Sequence, residues 1–380
     1  MTRDESLTIP LDRMTADQHP WLAAAARDDF FASLPWYRTL AVHGLGAAHG
    51  LGAAQEPVPA PTGANRFRIT LSGSPGARAA MALEAVPGAG GLFAARHLRS
   101  LTNFYSCRYT PILESDERLD ALDPLIGGLV AEKPAWDVVT LDSLDRDSAA
   151  FACLSGAFMR RGWPVQTYFH FGNWFETTEG VSPNDYFAAR PGNLRSTLKR
   201  QGSKLHKSAA AEFRLLRQST EVDEAIALYE SVYQRSWKGS EPYPAFAGAL
   251  IRATAALGCL RLGVLLIDGE PAAAQLWIVW HGKATIFKLA HDERHTALSP
   301  GSLLTRFVID QVLAEGGIRE VDFGRGDDSY KRLWLPQRRE RWGLMAFNPR
   351  TLRGGLLALR HIGGGAAKRM ARRIQAKFAR

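Results

Sequence analysis

The sequence predicts an α/β protein, in the α+β sense of a mixed sheet, with two domains. Its 380 residues are enough for two domains that each have a hydrophobic core. Strand-like and helical segments alternate in both halves of the chain. Late in the second half, a helix that starts near Ser299 is followed by residues 318–323, a short apolar run typical of a buried strand.

The first predicted domain, residues 1–190, has the weaker pattern. A stretch at about 43–65 repeats the letters GLGAA and is rich in Gly, Ala and Pro, which predicts an exposed loop. The aromatic run 168–174, which includes His170, is typical of core packing, with a substrate groove as the alternative. The other predictions are strands near 66–71, 80–85, 136–141 and 165–171, and a helix over about 145–161.

The second predicted domain, residues 191–348, is entered by a long helix that starts at Asn193. Two helices follow, over 221–237 and 245–257, and the sheet is expected to begin at Leu260. After a strand over about 284–289 come His291 and His295, either of which could reach a site there. A lone loop histidine is usually structural, so neither is assigned a role.

The helix at Ser299 has the pattern of an anion-binding helix start. Ser299 suits the N-cap, and Pro300 suits the first helical position, where its missing N–H costs nothing. Gly301 and Ser302 then leave the first amide groups accessible, at the end of the helix where its dipole favours negative charge. These four residues are our candidate phosphate contacts; an ordinary capped helix is the alternative.

A polar turn follows the buried strand and places candidate catalytic groups at its carboxyl end. Ligands of open α/β sheets bind at that edge. The turn contains Asp322 and Asp327, and it leads into Tyr330 and Lys331. A turn with Gly at positive φ and a capping Asp is the simpler reading, but it explains the Tyr-Lys pair less well.

A basic run marks the start of the second domain. Residues 190–207 contain six Lys and Arg and no acid. Arg195 and Lys199 are four apart, hence on one helical face, where like charges repel unless an anion compensates them. A solvated face is the alternative to a ligand contact.

In this order, the motifs resemble the acetyltransferase-type domain of the CelD-like, Fem-related branch of the GNAT superfamily. The resemblance covers about residues 185–345, while the first half is similar in general layout only. It implies GNAT-like domains in tandem, with the N-terminal one degenerate. The matching residues are Ser236-Trp237-Lys238, Ser299-Pro300-Gly301, Asp322-Phe323-Gly324-Arg325-Gly326 and Tyr330-Lys331-Arg332-Leu333-Trp334.

The resemblance implies direct acyl transfer from acetyl-CoA or another acyl-CoA, with no metal. The acceptor would be an amine or hydroxyl of a sugar, a polysaccharide precursor or a lipid-linked molecule, in exopolysaccharide or envelope biosynthesis. By this resemblance, Asp322 or, as second choice, Asp327 would accept the proton of the acceptor, and Tyr330 would protonate the leaving thiolate. Lys331 would neutralise a phosphate group. The residues that would bind the pyrophosphate are Ser299, Pro300, Gly301 and Ser302, and those that would contact the substrate are Arg195, Lys199, Trp237 and Lys238.

Two other functions remain open. One is a Fem-like transferase that uses aminoacyl-tRNA, although the distance from Trp237 to Leu260 leaves no room for the long helical hairpin such proteins often carry. Nucleic acid is expected as a partner only in that case. The other is a non-catalytic scaffold of a polysaccharide synthesis complex.

Composition predicts a cytoplasmic protein. There is no apolar run of membrane-spanning length, no signal-peptide pattern at the start, and no metal-type spacing among the three cysteines. From Arg341 onward there are ten Lys or Arg and no acid, so the preceding chain holds 37 basic against 38 acidic residues. Within 349–380, the segment 355–380 is either an amphipathic helix for the inner face of an anionic membrane or a solvated tail.

Overall fold

The computed structural model describes residues 6–15, 17–45, 66–88 and 94–363. Most of the predicted loop at about 43–65 and residues 364–380 of the predicted tail lie outside these ranges. Within them, no helix combines the length and apolar character needed to span a membrane.

The strands are β1 (Ser6–Pro10), β2 (Phe67–Ser72), β3 (Ala79–Val86), β4 (His97–Ser100), β5 (Ile112–Leu113), β6 (Val138–Asp145), β7 (Val165–Thr177), β8 (Ala211–Leu216), β9 (Leu260–Ile267), β10 (Glu270–Trp280), β11 (Lys283–His291), β12 (Glu320–Asp322) and β13 (Gln337–Phe347). The α-helices are α1 (Pro20–Ala25), α2 (Leu34–Thr39), α3 (Leu122–Ala131), α4 (Ala149–Arg160), α5 (Pro183–Ala188), α6 (Gly192–Ser208), α7 (Val222–Gln234), α8 (Pro244–Ala256), α9 (Pro300–Ala314), α10 (Lys331–Trp334) and α11 (Leu352–Ala358).

The chain forms two compact units, each made of stretches that are distant in sequence. The first contains the described residues of 1–26, 59–171 and 340–380, and the second those of 27–58 and 172–339. These units do not coincide with the predicted ranges 1–190 and 191–348. One reason is an aromatic cluster early in the chain: Trp36 of α2 packs edge-on against Phe246 of α8 and Phe287 of β11, within the second unit.

The first unit has a six-strand mixed sheet. Strands β1, β2, β3 and β4 pair antiparallel in sequence order, and β4 then pairs parallel with β6. Residues 341–347 of β13 complete the sheet as the antiparallel neighbour of β6. The short strand β5 lies off this path, next to β3.

The second unit repeats the same order with different residues. Strands β8, β9, β10 and β11 are antiparallel neighbours, and β11 pairs parallel with β12. The last neighbour, antiparallel to β12, is the 175–177 end of β7. The sheet therefore begins one strand earlier than the predicted start at Leu260. Two equivalent mixed sheets confirm the predicted mixed α/β fold with a tandem arrangement.

Helix α9 crosses over from β11 to β12 and covers one face of the second sheet. Its apolar residues recur at helical spacing, and Leu304, Val308 and Val312 are fully buried. The helix lies so close that a Cβ on Gly263 of β9 would fall 2.3 Å from the Val308 side chain. Glycine at this position in the strand thus sets the height of α9 above the sheet, and with it the position of the helix start.

Candidate active site

The second unit has an opening between β11 and β12. The two strands pair in parallel only from Lys283↔Glu320 to Thr285↔Asp322. Strand β11 then continues to His291, paired with β10, while the chain after Asp322 turns away and Phe323 N–H donates to Trp174 O at 2.9 Å. Residues 286–291 therefore have no strand on their second side among the described elements. Strands β11 and β12 therefore splay apart after Thr285, and the space between them is the opening.

The start of α9 lies at this opening, but its cap differs from the prediction. Ser299 occupies the N-cap position in a left-handed conformation, φ 51°, and its side chain makes no capping hydrogen bond. Its carbonyl oxygen instead accepts the N–H groups of Ser302 at 3.1 Å and Leu303 at 3.2 Å. Ser299 thus caps through its main chain, and the amide of Ser302 is not available to a phosphate as predicted.

Gly301 keeps the one amide of this turn that a ligand could use. Pro300 has no N–H, Ser302 and Leu303 are occupied, and the Gly301 N–H has no acceptor among the described residues. The carbonyl oxygen of Gly301 accepts a hydrogen bond from Gln275 Nε2 at 2.9 Å, and the same nitrogen donates to the Thr305 hydroxyl at 2.8 Å. Because Gln275 is completely buried, the turn is held rigidly at the opening.

Lys238 and Trp237 reach the same opening from the segment after α7. The Lys238 ammonium donates to the carbonyl of Leu289 in β11 at 2.5 Å and lies 5.6 Å from the centre of the Trp237 ring. Burial, together with the nearby ammonium of Lys288, lowers the pKa of Lys238 to about 8, although the carboxylate of Asp328 opposes the shift. Lys238 is therefore a cation that loses its proton just above neutral pH.

His291 ends β11 and lies between these groups. Its ring is 4.4 Å from that of Trp237, and a Cβ on Gly301 would be 3.6 Å from its Nδ1 atom. Burial, reinforced by the Lys238 ammonium, lowers the pKa of His291 below the ordinary 6.5. The imidazole is thus neutral at pH 7, the state in which it can accept a proton.

Asp322, the first candidate for the base, is embedded in a buried network and is only 2 % exposed. One carboxylate oxygen accepts from Asn173 Nδ2 at 2.7 Å and from the Gly324 amide at 2.6 Å. The other is 2.5 Å from Arg339 and 3.4 Å from Lys283. A carboxylate with two cations and two N–H donors is a weak proton acceptor, and this geometry favours a structural role.

Asp327, the second candidate, is held on the exposed rim of the turn. Arg338 forms a bidentate ion pair with it, the shortest contact being 2.7 Å, and Trp174 Nε1 donates to it at 2.8 Å. Hydrogen bonding to Arg338 lowers the pKa of Asp327 below its usual value. The carboxylate of Asp327 is therefore also a poor base. Through its hydrogen bond to this carboxylate, Trp174 contacts the turn.

Tyr330 remains a suitable proton donor. Its side chain is 40 % exposed, and its hydroxyl has no hydrogen-bond partner among the residues that the structure describes. Burial of the phenol and the charge of Asp328 raise the pKa of Tyr330 above 10. The group therefore stays protonated at neutral pH and can give its proton to a leaving group.

Lys331 has a different environment from the one predicted. It is 4 % exposed, and its ammonium donates to three main-chain carbonyls of the turn, those of Phe323 at 2.9 Å, Arg325 at 2.8 Å and Gly326 at 3.3 Å. The predicted contact with a phosphate does not fit, because these three bonds use all the donors of the ammonium. Lys331 instead fixes the loop that carries Asp327 and leads to Tyr330.

We expect Lys331→Met to destabilise the second unit by about 3 kcal/mol, since it leaves two or three enclosed carbonyls without a donor. Urea unfolding of the full chain measures the change. Arg332→Met is the matched control, because Arg332 is adjacent, equally charged and exposed. Equal stability of the two variants would show that Lys331 does not hold the turn.

The remaining predicted contacts, Arg195 and Lys199, lie on α6 and line a groove that α6 forms with α9. The structure thus brings Trp237, Lys238, Gly301 and the Tyr330 turn to the β11–β12 opening, and it gives the two α6 cations another location. His291, which as a lone loop histidine is expected to be structural, lies at the opening. The available signal was its position just after the predicted strand over about 284–289.

Comparisons with known proteins bear on the fold and on the domain that contains this opening. Residues 192–332 match the family model described as an acetyltransferase (GNAT) domain. No curated protein sequence matches the chain. The solved structure of FemX is similar over 93 % of this chain and 99 % of its own, with a TM-score of 0.59 and 11 % identity, which shows the fold alone.

Two weaker likenesses are to a tandem GNAT protein from the clavulanic acid biosynthesis pathway and to L-PGS from Bacillus licheniformis. The first has a TM-score of 0.44 and 13 % identity over 91 % of this chain and 99 % of that one. The second has a TM-score of 0.48 and 12 % identity over 78 % and 88 %. No conclusion is based on either.

The matched domain supports a transferase, and the fold is of the GNAT type. The part of the chain that matches the GNAT acetyltransferase family is residues 192–332, and the chain as a whole shares its fold with FemX. Domains of this family typically use acetyl-CoA. Among the residues that the structure describes, no group of His, Cys, Asp or Glu side chains has the arrangement of a metal site.

Proposed function

We propose that the protein transfers an acyl group from acyl-CoA to an amine or hydroxyl of a small or glycan acceptor. The observation that carries the proposal is the β11–β12 opening, with the neutral imidazole of His291 at the end of β11 and the turn that carries Tyr330 following β12. Direct transfer needs one group to take the acceptor's proton and one to protonate the leaving thiolate. No covalent intermediate on the protein is required.

His291 replaces Asp322 and Asp327 as the proposed proton acceptor. It is the group of the opening that is neutral, half-exposed and free of a carboxylate or guanidinium pair among the described contacts. Tyr330 keeps the role of proton donor. The edge of β11 that faces the opening could donate a main-chain N–H group to the acyl carbonyl, and the Lys238 ammonium adds positive charge beside Leu289.

The start of α9 would hold the donor's pyrophosphate through the Gly301 amide and the positive end of the helix. A single available amide would bind a pyrophosphate more weakly than the predicted set of contacts from Ser299, Pro300, Gly301 and Ser302. This observation supports a second candidate, transfer of an aminoacyl group from charged tRNA, in which the donor ester carries no pyrophosphate. The same proton acceptor and donor would serve either reaction.

Calorimetric binding of acetyl-CoA to the full chain tests the first function. We expect Gly301→Asp to weaken binding by about tenfold, ~1.4 kcal/mol, because it places a carboxylate beside the diphosphate. Gly301→Ala is the control, since its Cβ would meet His291 at an ordinary 3.6 Å. Tyr330→Phe should bind normally and transfer slowly.

The other outcomes distinguish the alternatives. If the wild-type protein does not bind acetyl-CoA at millimolar concentration but binds aminoacyl-tRNA, the second candidate function replaces the first. If it binds neither donor, both transferase functions are contradicted, and a non-catalytic role within a synthesis complex is the remaining alternative. The CelD-like branch, a place in exopolysaccharide or envelope biosynthesis, a cytoplasmic location and membrane contact through 355–380 remain part of the proposal.

A further inference from the structure

A groove of about 500 Å³ lies between α6 and α9 in the second unit. Its volume is within the range of about 300–1,000 Å³ that is common for small-molecule sites. It is lined by residues of α5, α6, β8 and α9, among them the cations Arg195 and Lys199 and the aromatic residues Phe213 and Phe307.

The charge at this groove is positive and is only partly neutralised. Arg306 is bonded to Asp310 at 2.8 Å and lies over the Phe187 ring at 3.5 Å. Arg195 and Lys199 have no acidic partner among the residues that the structure describes, and both side chains are exposed. Two uncompensated cations one helical turn apart favour an anion between them.

The walls of the groove are apolar. Phe213 and Phe307 are 5.2 Å apart at their ring centres, and Leu198 and Leu303 are buried. The one carboxylate of the lining, on Asp310, is already bonded to Arg306. A nucleotide base would find no free side-chain acceptor in this lining for its amino groups, whereas an alkyl chain needs only apolar contact.

We propose that this groove binds a lipid-like anion, an alkyl or isoprenoid chain that carries a phosphate. The chain would lie against Leu198, Leu303 and the two phenylalanines, with the phosphate at Arg195 and Lys199. As an acceptor, the lipid would reach the opening around the start of α9, where Leu303 faces the groove and Gly301 faces His291 on another side of the helix. That part rests on the proposed transferase function and makes the acceptor class lipid-linked.

The test is calorimetric binding of octyl, decyl and dodecyl phosphate, below their micellar concentrations, to the full chain without any acyl donor. We expect affinity to rise by up to about fourfold for each methylene that is buried. The double variant Arg195→Ala/Lys199→Ala should bind dodecyl phosphate about tenfold more weakly. Arg200→Ala is the matched control, because Arg200 is exposed on the same helix and does not line the groove.

Gly202→Phe fills the groove and should abolish binding, while Gly202→Ala should not, because its Cβ would lie 3.8 Å from Leu303. No gain with chain length, equal binding of neutral dodecyl maltoside, or tighter binding of adenosine 3′,5′-bisphosphate would each overturn the proposal. Because no donor is present, alkyl phosphate can bind even if acetyl-CoA does not. Failure here is therefore distinct from failure of the transferase function.

Discussion

Replacement of His291 by Gln should lower kcat/KM for acyl transfer by about 10²–10⁴-fold, the usual contribution of a positioned general base. Glutamine has a similar size and polarity, so the contact with Trp237 is largely preserved. The proton acceptor is lost. Acetyl-CoA hydrolysis, with water in place of the acceptor, provides a readout that does not depend on knowing the acceptor.

The pH dependence of the wild type follows from two groups of the opening. The imidazole must be neutral to act, and burial lowers its pKa, so the rate should rise with pH through a midpoint below 6.5. The Lys238 ammonium must be charged, and its pKa is about 8, so the rate should fall as pH rises through that value. Lys238→Arg should move the alkaline limb upward.

His295→Gln is the matched control for His291→Gln. His295 lies four residues further along, outside the opening, and its loss should leave both the rate and the acid limb unchanged. If the His291 variant keeps wild-type kcat/KM with the acid limb intact, another group accepts the proton. Asp327 would then be the first residue to reconsider.

Asp322→Asn should destabilise the second unit by about 3–5 kcal/mol, because it removes one partner from a buried ion-pair cluster. Asparagine cannot balance the charges of Arg339 and Lys283, and its amide group would face the donors of Asn173 or Gly324. Urea unfolding of the full chain, followed by fluorescence, measures the loss.

Asp327→Asn provides the comparison. Its ion pair with Arg338 is 44 % exposed on the carboxylate side, so the stability change should be about 0–1 kcal/mol. The two variants also separate structure from catalysis at Asp322. A stable but inactive Asp322→Asn protein would restore the role of proton acceptor to that residue.

Much of the second unit could be read from the sequence because its signals are local. The apolar spacing of α9 and the Ser-Pro-Gly start predicted a helix after a strand, and the helix is Pro300–Ala314. The helices predicted over 221–237 and 245–257 occur as α7 and α8. The Gly-rich turn also formed as expected, with Gly324 and Gly326 at φ of 59° and 108°.

The failures concern contacts between residues distant in sequence. No local pattern tells that the ammonium of Lys331 turns inward onto three carbonyls, or that Arg339 neutralises Asp322 from another strand. Strand β8 was missed because its residues, AEFRLL, are half-exposed and charged, as an edge strand permits. The sequence predicted that Ser299 would be the N-cap, but it did not predict the backbone conformation there. With a left-handed backbone at Ser299, the carbonyl oxygen and not the hydroxyl accepts the first N–H groups of the helix.

The order of strands in the first unit has a consequence for how the protein is made. The last neighbour of β6 is residues 341–347, which the ribosome synthesises almost two hundred residues after β6 itself. Until they emerge, the edge of β6 exposes unpaired main-chain groups, a state that invites mispairing or holdase chaperones. Domains usually mature from the amino terminus as they are translated, but here the half made first is completed last.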